Sequence, residues 1–353
     1  MTCQEETEPD LQPGVPVEGP AGGEARGGLP LPKLWQPCAP PARRSLLRRN
    51  LPAVRLAHDP GVAGMEELDA LRIKILAVDA VGQEHTLLGQ HGISVLLEAA
   101  SGAQRRNILM DVGHNAQALL FNMKELGVDP GCIDAICLSH GHYDHTGGLV
   151  EVLQAIGKKQ LPVVAHPEIF RPHLSADPFL RSVGVESLSG PIRIEEVGGA
   201  LLLCRDPLQL MPGLTTTGEV ARRTDFEQAG ETFKTIEQGR LKADTLPDEL
   251  SLVARVAGKG LVVITGCSHA GIVNILRASE ELAGTDRIEG IVGGLHLWNA
   301  SGQRIKKTVQ ALQEMKIGWV AAGHCTGFRA QVELFLAFQD RFKPLSSGMV
   351  ITV

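Results

Sequence analysis

Aromatic side chains are few, 4% of 353 residues, and only one of them is a tyrosine, Tyr143. So few rings offer no obvious stacking platform for bases. Basic charge is not in excess either: 34 Lys and Arg stand against 40 Asp and Glu, a formal net charge of −6. A bulk electrostatic grip on nucleic acid is therefore not expected. No apolar run approaches the roughly 20 residues that a membrane-spanning helix needs. The N-terminus lacks the basic, apolar and small-residue succession of an export signal, and the paired arginines Arg43-Arg44 and Arg48-Arg49 lead into no apolar stretch. Seven cysteines occur (Cys3, Cys38, Cys132, Cys137, Cys204, Cys267, Cys325), with no Cys-x-x-Cys pair among them. That odd, scattered set reads as reduced thiols in a cytoplasmic protein rather than as a disulfide framework.

With 43% apolar residues the chain can bury a sizeable α/β core, in one large domain or two smaller ones. Proline is unevenly spread: eleven of the 21 fall in residues 1–64, among glycines and scattered charges and without periodicity. Such a segment buries too little apolar surface to offset the entropy of ordering it. It is expected to be a disordered Pro/Gly-rich extension, or else sequence upstream of the true start, with Met65 as initiator. From residue 71 the pattern changes to that of a folded domain extending to 353. Strands are predicted at 71–78, 91–98 and 107–111, with a turn at Ser101-Gly102-Ala103, followed by a helix over 115–126 closed by Gly127. The apolar run 133–139 ends directly at His140. Further strands are predicted at 161–165, 200–203, 250–256, 261–265, 288–292, 319–322 and 349–353, and helices at 148–156, 270–283, 301–315 and 329–342. The polar stretch 215–247 reads as a long functional loop or insertion. No internal repeat is visible.

The chemistry gathers in Leu138-Ser-His-Gly-His-Tyr-Asp-His-Thr-Gly-Gly-Leu149, which sets His140, His142, Asp144 and His145 within six residues at a strand end. Imidazole and carboxylate are ligands for zinc, iron or manganese. Two histidines spaced i, i+2 in an extended turn can converge on one ion, while Asp144 and His145 point elsewhere and can hold a second. A pair of ions can clamp an oxyanion during a displacement. A single histidine here would read as a surface residue; three with an aspartate, between Gly141 and Gly147-Gly148, do not.

Four residues cannot complete two sites. Two later strand ends repeat one design, an apolar strand, then glycine, then a ligand-capable side chain: Val263-Ile-Thr-Gly-Cys-Ser-His-Ala-Gly271 offers Cys267 and His269, and Val320-Ala-Ala-Gly-His-Cys-Thr-Gly327 offers His324 and Cys325. Cys267 is a ligand or a small buried thiol. His296 in Gly293-Gly-Leu-His-Leu297 is a ligand, a substrate-orienting group or a buried partner. Asp111 reads as a carboxylate that fixes the histidine loop rather than one that touches metal. His166 reads as a strand-end residue without a role in the site.

With these residues in view the chain resembles the metallo-β-lactamase superfamily, whose His-x-His-x-Asp-His signature matches residues 140–145. The resemblance implies a four-layer αββα sandwich with a metal site along one edge of its sheets. It pairs His140 and His142 with His269, pairs Asp144 and His145 with His324, and matches Asp111 to an early structural aspartate. His91-Gly-Ile-Ser, 138–149, Thr217-Gly-Glu219, 265–272, 293–297 and 323–327 occur in the order seen in the 7,8-dihydropterin-6-yl-methyl-4-(β-D-ribofuranosyl)aminobenzene 5′-phosphate synthases and their bacterial relatives. One departure stands out. The superfamily places a metal-bridging aspartate late in the chain, where this sequence has Gly266-Cys267-Ser268-His269, and either Cys267 or His269 takes that place. Val112 and Ala80 stand where related chains more often carry Thr and Asn.

The synthase resemblance implies displacement of pyrophosphate from a dihydropterin methyl carbon. One or two divalent ions, zinc first and iron or manganese as alternatives, would offset charge on the leaving oxygens. The helix opening near Ala270 is expected to add its N-terminal N–H groups for the same anion, and Arg222 and Arg223 to contact phosphate or else to be solvated. Two other readings stand: a metal-dependent hydrolase of a small phosphoester, thioester or lactone, and a non-catalytic metal or redox sensor using Cys267 and Cys325. The expected partner is a small phosphorylated molecule, with no nucleic acid and no membrane; a homodimer is an expectation of the fold alone.

Overall fold

Alternation along the strands decides how many layers this chain builds. Between Gly260 and Ile264, Val262 and Ile264 fall on one face and Leu261 and Val263 on the other, all four fully buried. A strand apolar on both faces has to be covered on both. The same holds between Ser94 and Ser101, where Val95 and Leu97 face one core and Leu96 another.

The computed structural model describes residues 65–185, 190–228 and 232–353. The extension expected at 1–64 lies outside them. The first half carries β1 (Ala70–Ala77), β2 (Ser94–Ser101), β3 (Gln104–Met110), α1 (Ala116–Glu125), β4 (Ala135–Cys137), α2 (Tyr143–Thr146), α3 (Leu149–Ile156) and β5 (Leu161–Ala165). Then come β6 (Leu174–Ser175), β7 (Arg181–Ser182), α4 (Pro191–Glu196), β8 (Gly199–Leu203), β9 (Gln209–Met211), β10 (Leu214–Thr216), β11 (Phe233–Glu237) and β12 (Arg240–Ala243). The second half follows with β13 (Leu252–Val256), β14 (Gly260–Ile264), α5 (Ile272–Ala283), β15 (Ile288–Gly294), α6 (Gly302–Glu314), β16 (Trp319–Gly323), α7 (Phe328–Phe338), β17 (Phe342–Pro344) and β18 (Val350–Thr352).

Two sheets share one plan. The first runs β18-β1-β2-β3-β4-β5-β8 and the second β9-β10-β13-β14-β15-β16-β17. In each, three antiparallel pairings are followed by three parallel ones. Ile73, Ile75, Val95, Leu97 and Met110 of the first sheet meet Leu252, Ala254, Val262, Ile264 and Val292 of the second in a central core. Leu96, Leu109, Ile136 and Val163 turn outward to α1, α3 and α4. Leu261, Val263, Ile291 and Val320 do the same toward α5, α6 and α7. The expected αββα sandwich is therefore present.

Local chemistry fixes the turns. Ser101 pairs with Gln104 across a two-residue loop, and Gly102 at φ +56° supplies the left-handed first position that such a hairpin needs. Asn115 caps α1 by accepting from the Ala118 amide at 3.1 Å, and Gly127, at φ +64°, closes it as the sequence predicts. The stretch 215–247 departs from expectation. It is not a structureless loop: β11 and β12 form a hairpin that extends β6 and β7 into a small third sheet. Its polarity belongs to a hairpin covered only in part: Thr235 is buried, while Ile236, Glu237 and all of β12 are exposed. Among the described residues no helix is long and apolar enough to cross a membrane.

Candidate metal centre

The parallel strands β3 and β4 of one sheet, and β14, β15 and β16 of the other, end at the same edge, and chemically capable side chains follow directly. Four of these residues sit in the left-handed region that L side chains avoid: Asp111 (φ +57°), Ser268 (φ +63°), His296 (φ +45°) and His324 (φ +51°). Such strain costs about 1–2 kcal/mol per residue and persists only where packing holds it, as at functional sites.

Asp111 organises the histidine loop. It accepts from the Ser139 amide and hydroxyl and from His145 Nδ1, each at 2.7 Å, with no part exposed. The His145 Nδ1 proton is thus committed to Asp111, and Nε2 faces Cys267 Sγ at 3.1 Å and Asp144 Oδ2 at 3.4 Å. His324 is held the same way from the other sheet. Its Nδ1 lies 2.6 Å from Asp79 Oδ2, and its Nε2 faces Asp144 Oδ2 at 3.2 Å and Cys267 Sγ at 3.4 Å. Asp144, His145, Cys267 and His324 form one group able to hold an ion.

A second such group is His140, Cys267 and His269. His142 joins it through Nδ1, 3.0 Å from His140 Nε2, with its ring centroid 4.9 Å from that of His269. The Nε2 atoms of His142 and His269 are buried without a hydrogen-bond partner. A buried polar atom left unpaired costs about 1–3 kcal/mol, so these lone pairs call for an electrophile.

The two groups differ electrically. Burial, with neighbouring imidazoles, holds His140 and His269 well below the usual histidine range and His142 down to about 3, so all three are neutral donors. At His145 burial opposes charge but is outweighed by Asp144 and Asp111, which push it up to about 10; at His324 burial is likewise overcome by Cys325, Asp144 and Asp79. Asp144 sits well below the carboxylate range, its burial offset by those same imidazoles. The Asp144 group thus attracts positive charge, which protons or a divalent ion can supply. Neutral lone pairs on one side and an anionic cluster on the other suit divalent metal.

His296 lies beside this pair of groups. Its ring is 4.1 Å from that of His269, its Nδ1 is buried and unpartnered, and it joins Cys267 and Cys325 in a third set. Both groups open into a cavity of about 380 Å³, within the ordinary range for small-molecule sites. Tyr143, Phe233 and Trp298 line it, with His91 and Arg181. Three of the chain's 13 aromatic residues thus stand where a flat ligand can use them.

Other expectations need correction. Arg222 and Arg223 do not line this cavity. Arg222 is a clasp, donating to the carbonyls of His269, Glu227 and Thr245, while Arg223 pairs on the surface with Glu281. The start of α5 is not free for an anion either. Glu249 accepts from the His269 and Ala270 amides at 2.6 and 2.5 Å, and Glu227 from Val273 and Asn274 at 3.1 Å each. Carboxylates already occupy the positive helix end. His166 is buried off the cavity and accepts from the Glu168 amide.

Sequence reasoning missed several supporting residues. Asp79 follows β1 as Asp111 follows β3, a strand-end carboxylate that the same rule could have flagged. His173 is a buried imidazole between Asp244, 2.8 Å away, and Asp248, 3.4 Å away; burial disfavours its charge but the two carboxylates push it up to about 9. Asp248 also accepts from the Gly141 amide at 2.8 Å, tying the third sheet to the histidine loop. No local pattern announces that link.

Comparison with known proteins agrees with this architecture. Residues 91–228 match the metallo-β-lactamase superfamily domain. The chain is 37% identical over 288 residues, 81% of its length and 97% of the relative's, to the 7,8-dihydropterin-6-methyl-4-(β-D-ribofuranosyl)-aminobenzene-5′-phosphate synthase of Methanocaldococcus jannaschii. An uncharacterised protein of the same organism is 31% identical, over 74% of this chain and 93% of that one. The crystal structure of Tm1679, a metal-dependent hydrolase of the β-lactamase superfamily, superposes with a TM-score of 0.66 at 30% identity, covering 80% of this chain and 99% of that one. The chain belongs to the metallo-β-lactamase superfamily and, within it, to the family of the dihydropterin-methyl-ribofuranosyl-aminobenzene phosphate synthases.

Proposed function

We propose that the chain is a metal-dependent transferase that joins a dihydropterin methyl carbon to the nitrogen of a phosphorylated arylamine, with pyrophosphate leaving. His140, His142 and His269 would hold one divalent ion, and Asp144, His145 and His324 a second, zinc being the metal this donor set favours. The observation that carries the reading is the opening of both ligand groups into one cavity walled by Tyr143, Phe233 and Trp298. Bound divalent ions would offset the negative charge that develops on leaving phosphate oxygens.

The chain's own residues do the rest. Phe233 and Trp298 offer ring faces to a flat heterocycle, and Arg181 supplies a positive charge in the cavity wall for a phosphate. Asp111 and Asp79 fix the tautomers of His145 and His324, so that lone pairs rather than N–H groups face the centre. The arylamine sheds a proton as its new C–N bond forms. His91, whose side chain is 55% exposed in the cavity, can take that proton and pass it to solvent. The substrate is a small phosphorylated molecule and the setting the cytoplasm, where the free thiols of Cys267 and Cys325 stay reduced.

The test is to supply metal-loaded protein with a 6-hydroxymethyl-dihydropterin diphosphate and a ribofuranosyl-aminobenzene phosphate, and to follow pyrophosphate. Release that requires both substrates is expected. Release without the arylamine, or brisk cleavage of generic phosphodiester, thioester or lactone substrates, would instead favour hydrolysis. That second reading draws support from the likeness to Tm1679, described as a hydrolase. The sensing reading gains nothing from relatives named as enzymes.

A further inference from the structure

Both ion-holding groups contain Cys267. Its sulfur lies 3.1 Å from His145 Nε2 and 3.4 Å from His324 Nε2 on one side, and it shares the second group with His140 and His269 on the other. Ligands of one tetrahedral ion, with metal–nitrogen bonds of roughly 2.0 Å and metal–sulfur bonds of roughly 2.3 Å, stand roughly 3.5 Å apart. The sulfur therefore already stands at ligand spacing from the imidazoles of the Asp144 group.

The backbone explains why the sulfur, and not the neighbouring imidazole, is central. Gly266 passes so close to the histidine loop that a Cβ there would stand 2.1 Å from Ser139 Oγ and 2.8 Å from Asp111 Oδ2. That contact brings residue 267 between the two sheets. The left-handed turn at Ser268 then carries His269 away, to a position beside His140 and His296. His269 belongs to one ion-holding group and Cys267 to both.

We propose that the Cys267 thiolate is the ligand shared by the two metal positions, standing where the wider superfamily uses an aspartate. The inference rests on the metal-centre reading above and adds to it the identity of the bridge. Binding forms a metal–sulfur bond to each ion, and the thiol proton leaves for solvent. Cys325 is the competing sulfur. It accepts from the His296 amide at 3.3 Å and shares a ligand group only with Cys267 and His296, none of them from the 140–145 motif.

X-ray absorption of the zinc-loaded wild-type protein is expected to show one sulfur neighbour for each of two zinc ions. In cobalt-substituted protein, a near-ultraviolet sulfur-to-cobalt charge-transfer band is expected to accompany two ions per chain. Cys267→Ser should lose that band and weaken uptake by at least tenfold. Cys267→Asp should restore two ions without the band, and Cys325→Ser should keep both. Zinc without sulfur neighbours, or a band that survives Cys267→Ser and disappears in Cys325→Ser, would overturn the bridge while leaving a metal enzyme in place. Wild-type protein that takes up no metal would overturn the metal centre, and the bridge with it. The wild-type absorption spectrum and Cys325→Ser decide the matter even if a Cys267 variant does not fold.

Discussion

Asp111→Asn tests whether the centre depends on an oriented imidazole or only on having one nearby. Asparagine keeps the shape of the side chain and tolerates the left-handed backbone at φ +57°, so strain is not the variable. Oδ1 can still accept from the Ser139 amide. The atom replacing Oδ2, however, turns two N–H bonds toward the Ser139 hydroxyl and His145 Nδ1, both 2.7 Å away. The hydroxyl can rotate and accept. The imidazole can adapt only by giving up its Nδ1 proton and keeping one on Nε2, the atom that faces Asp144 and Cys267. One charge-assisted hydrogen bond is lost outright, costing about 1.5–3 kcal/mol of metal-free stability. Loss of such an orienting partner typically weakens metal binding by about 10–100-fold, or roughly 1.4–2.7 kcal/mol. Urea unfolding of the metal-free protein would measure the first, and competition with a chromophoric chelator the second. A variant binding zinc within about twofold of wild type would refute the orientation argument, since tautomer control by Asp111 would then be worth less than RT.

Gly141→Ala places a Cβ 2.4 Å from the Ile169 carbonyl oxygen and 2.7 Å from His173 Nε2. Backbone cannot yield cheaply there, so a loss of about 1–3 kcal/mol together with reduced metal content is expected by thermal unfolding and elemental analysis. His173→Gln probes the buried Asp244–His173–Asp248 network. Because His173 is raised to about 9 from an ordinary 6.5, its contribution is fully present below pH 6.5 and lost as pH rises through 9. Stability curves of wild type and variant should therefore converge across that interval, from a gap of up to about 3 kcal/mol; parallel curves would show that the imidazole is uncharged. Arg222→Ala should destabilise by about 1–3 kcal/mol by freeing the His269, Glu227 and Thr245 carbonyls, with KM for a phosphorylated substrate unchanged. Arg223→Ala should leave both melting temperature and KM unchanged. Phe233→Ala should raise KM for a ring-bearing substrate by about 2- to 13-fold, the equivalent of the usual 0.5–1.5 kcal/mol for stacking, and leave metal content unaltered.

Much of the fold could be read locally because strand and helix periods are local. The run at 261–265 is apolar on both faces and the run at 288–292 is mostly branched and apolar, which marks buried strands, and β14 and β15 form there. The 115–126 helix carries its own start and stop in Asn115 and Gly127. The segment 215–247 misled because its strands are short and half exposed, and because its partners β6 and β7 come from elsewhere in the chain. The helix-end anion site misled for a similar reason. The opening of α5 was legible, but its two carboxylate caps arrive from Glu227 and Glu249, outside the helix.

By itself the sequence placed the ligand-capable side chains: three imidazoles and a carboxylate within six residues at a strand end, with His269 and His324 at two later ends of the same design. Residues so placed project to one edge whenever their strands lie parallel, whatever the details of packing. Only the tertiary structure decided what stands between them. Whether Cys267 or His269 is central depends on how closely Gly266 approaches Ser139, a contact between two sheets more than 120 residues apart in the chain. The cavity's Phe233 and Trp298, the Asp79 behind His324 and the carboxylates over α5 are likewise set by which surfaces meet across the sandwich. Composition and periodicity carry no record of such meetings, because each is fixed by packing between segments that share no local signal.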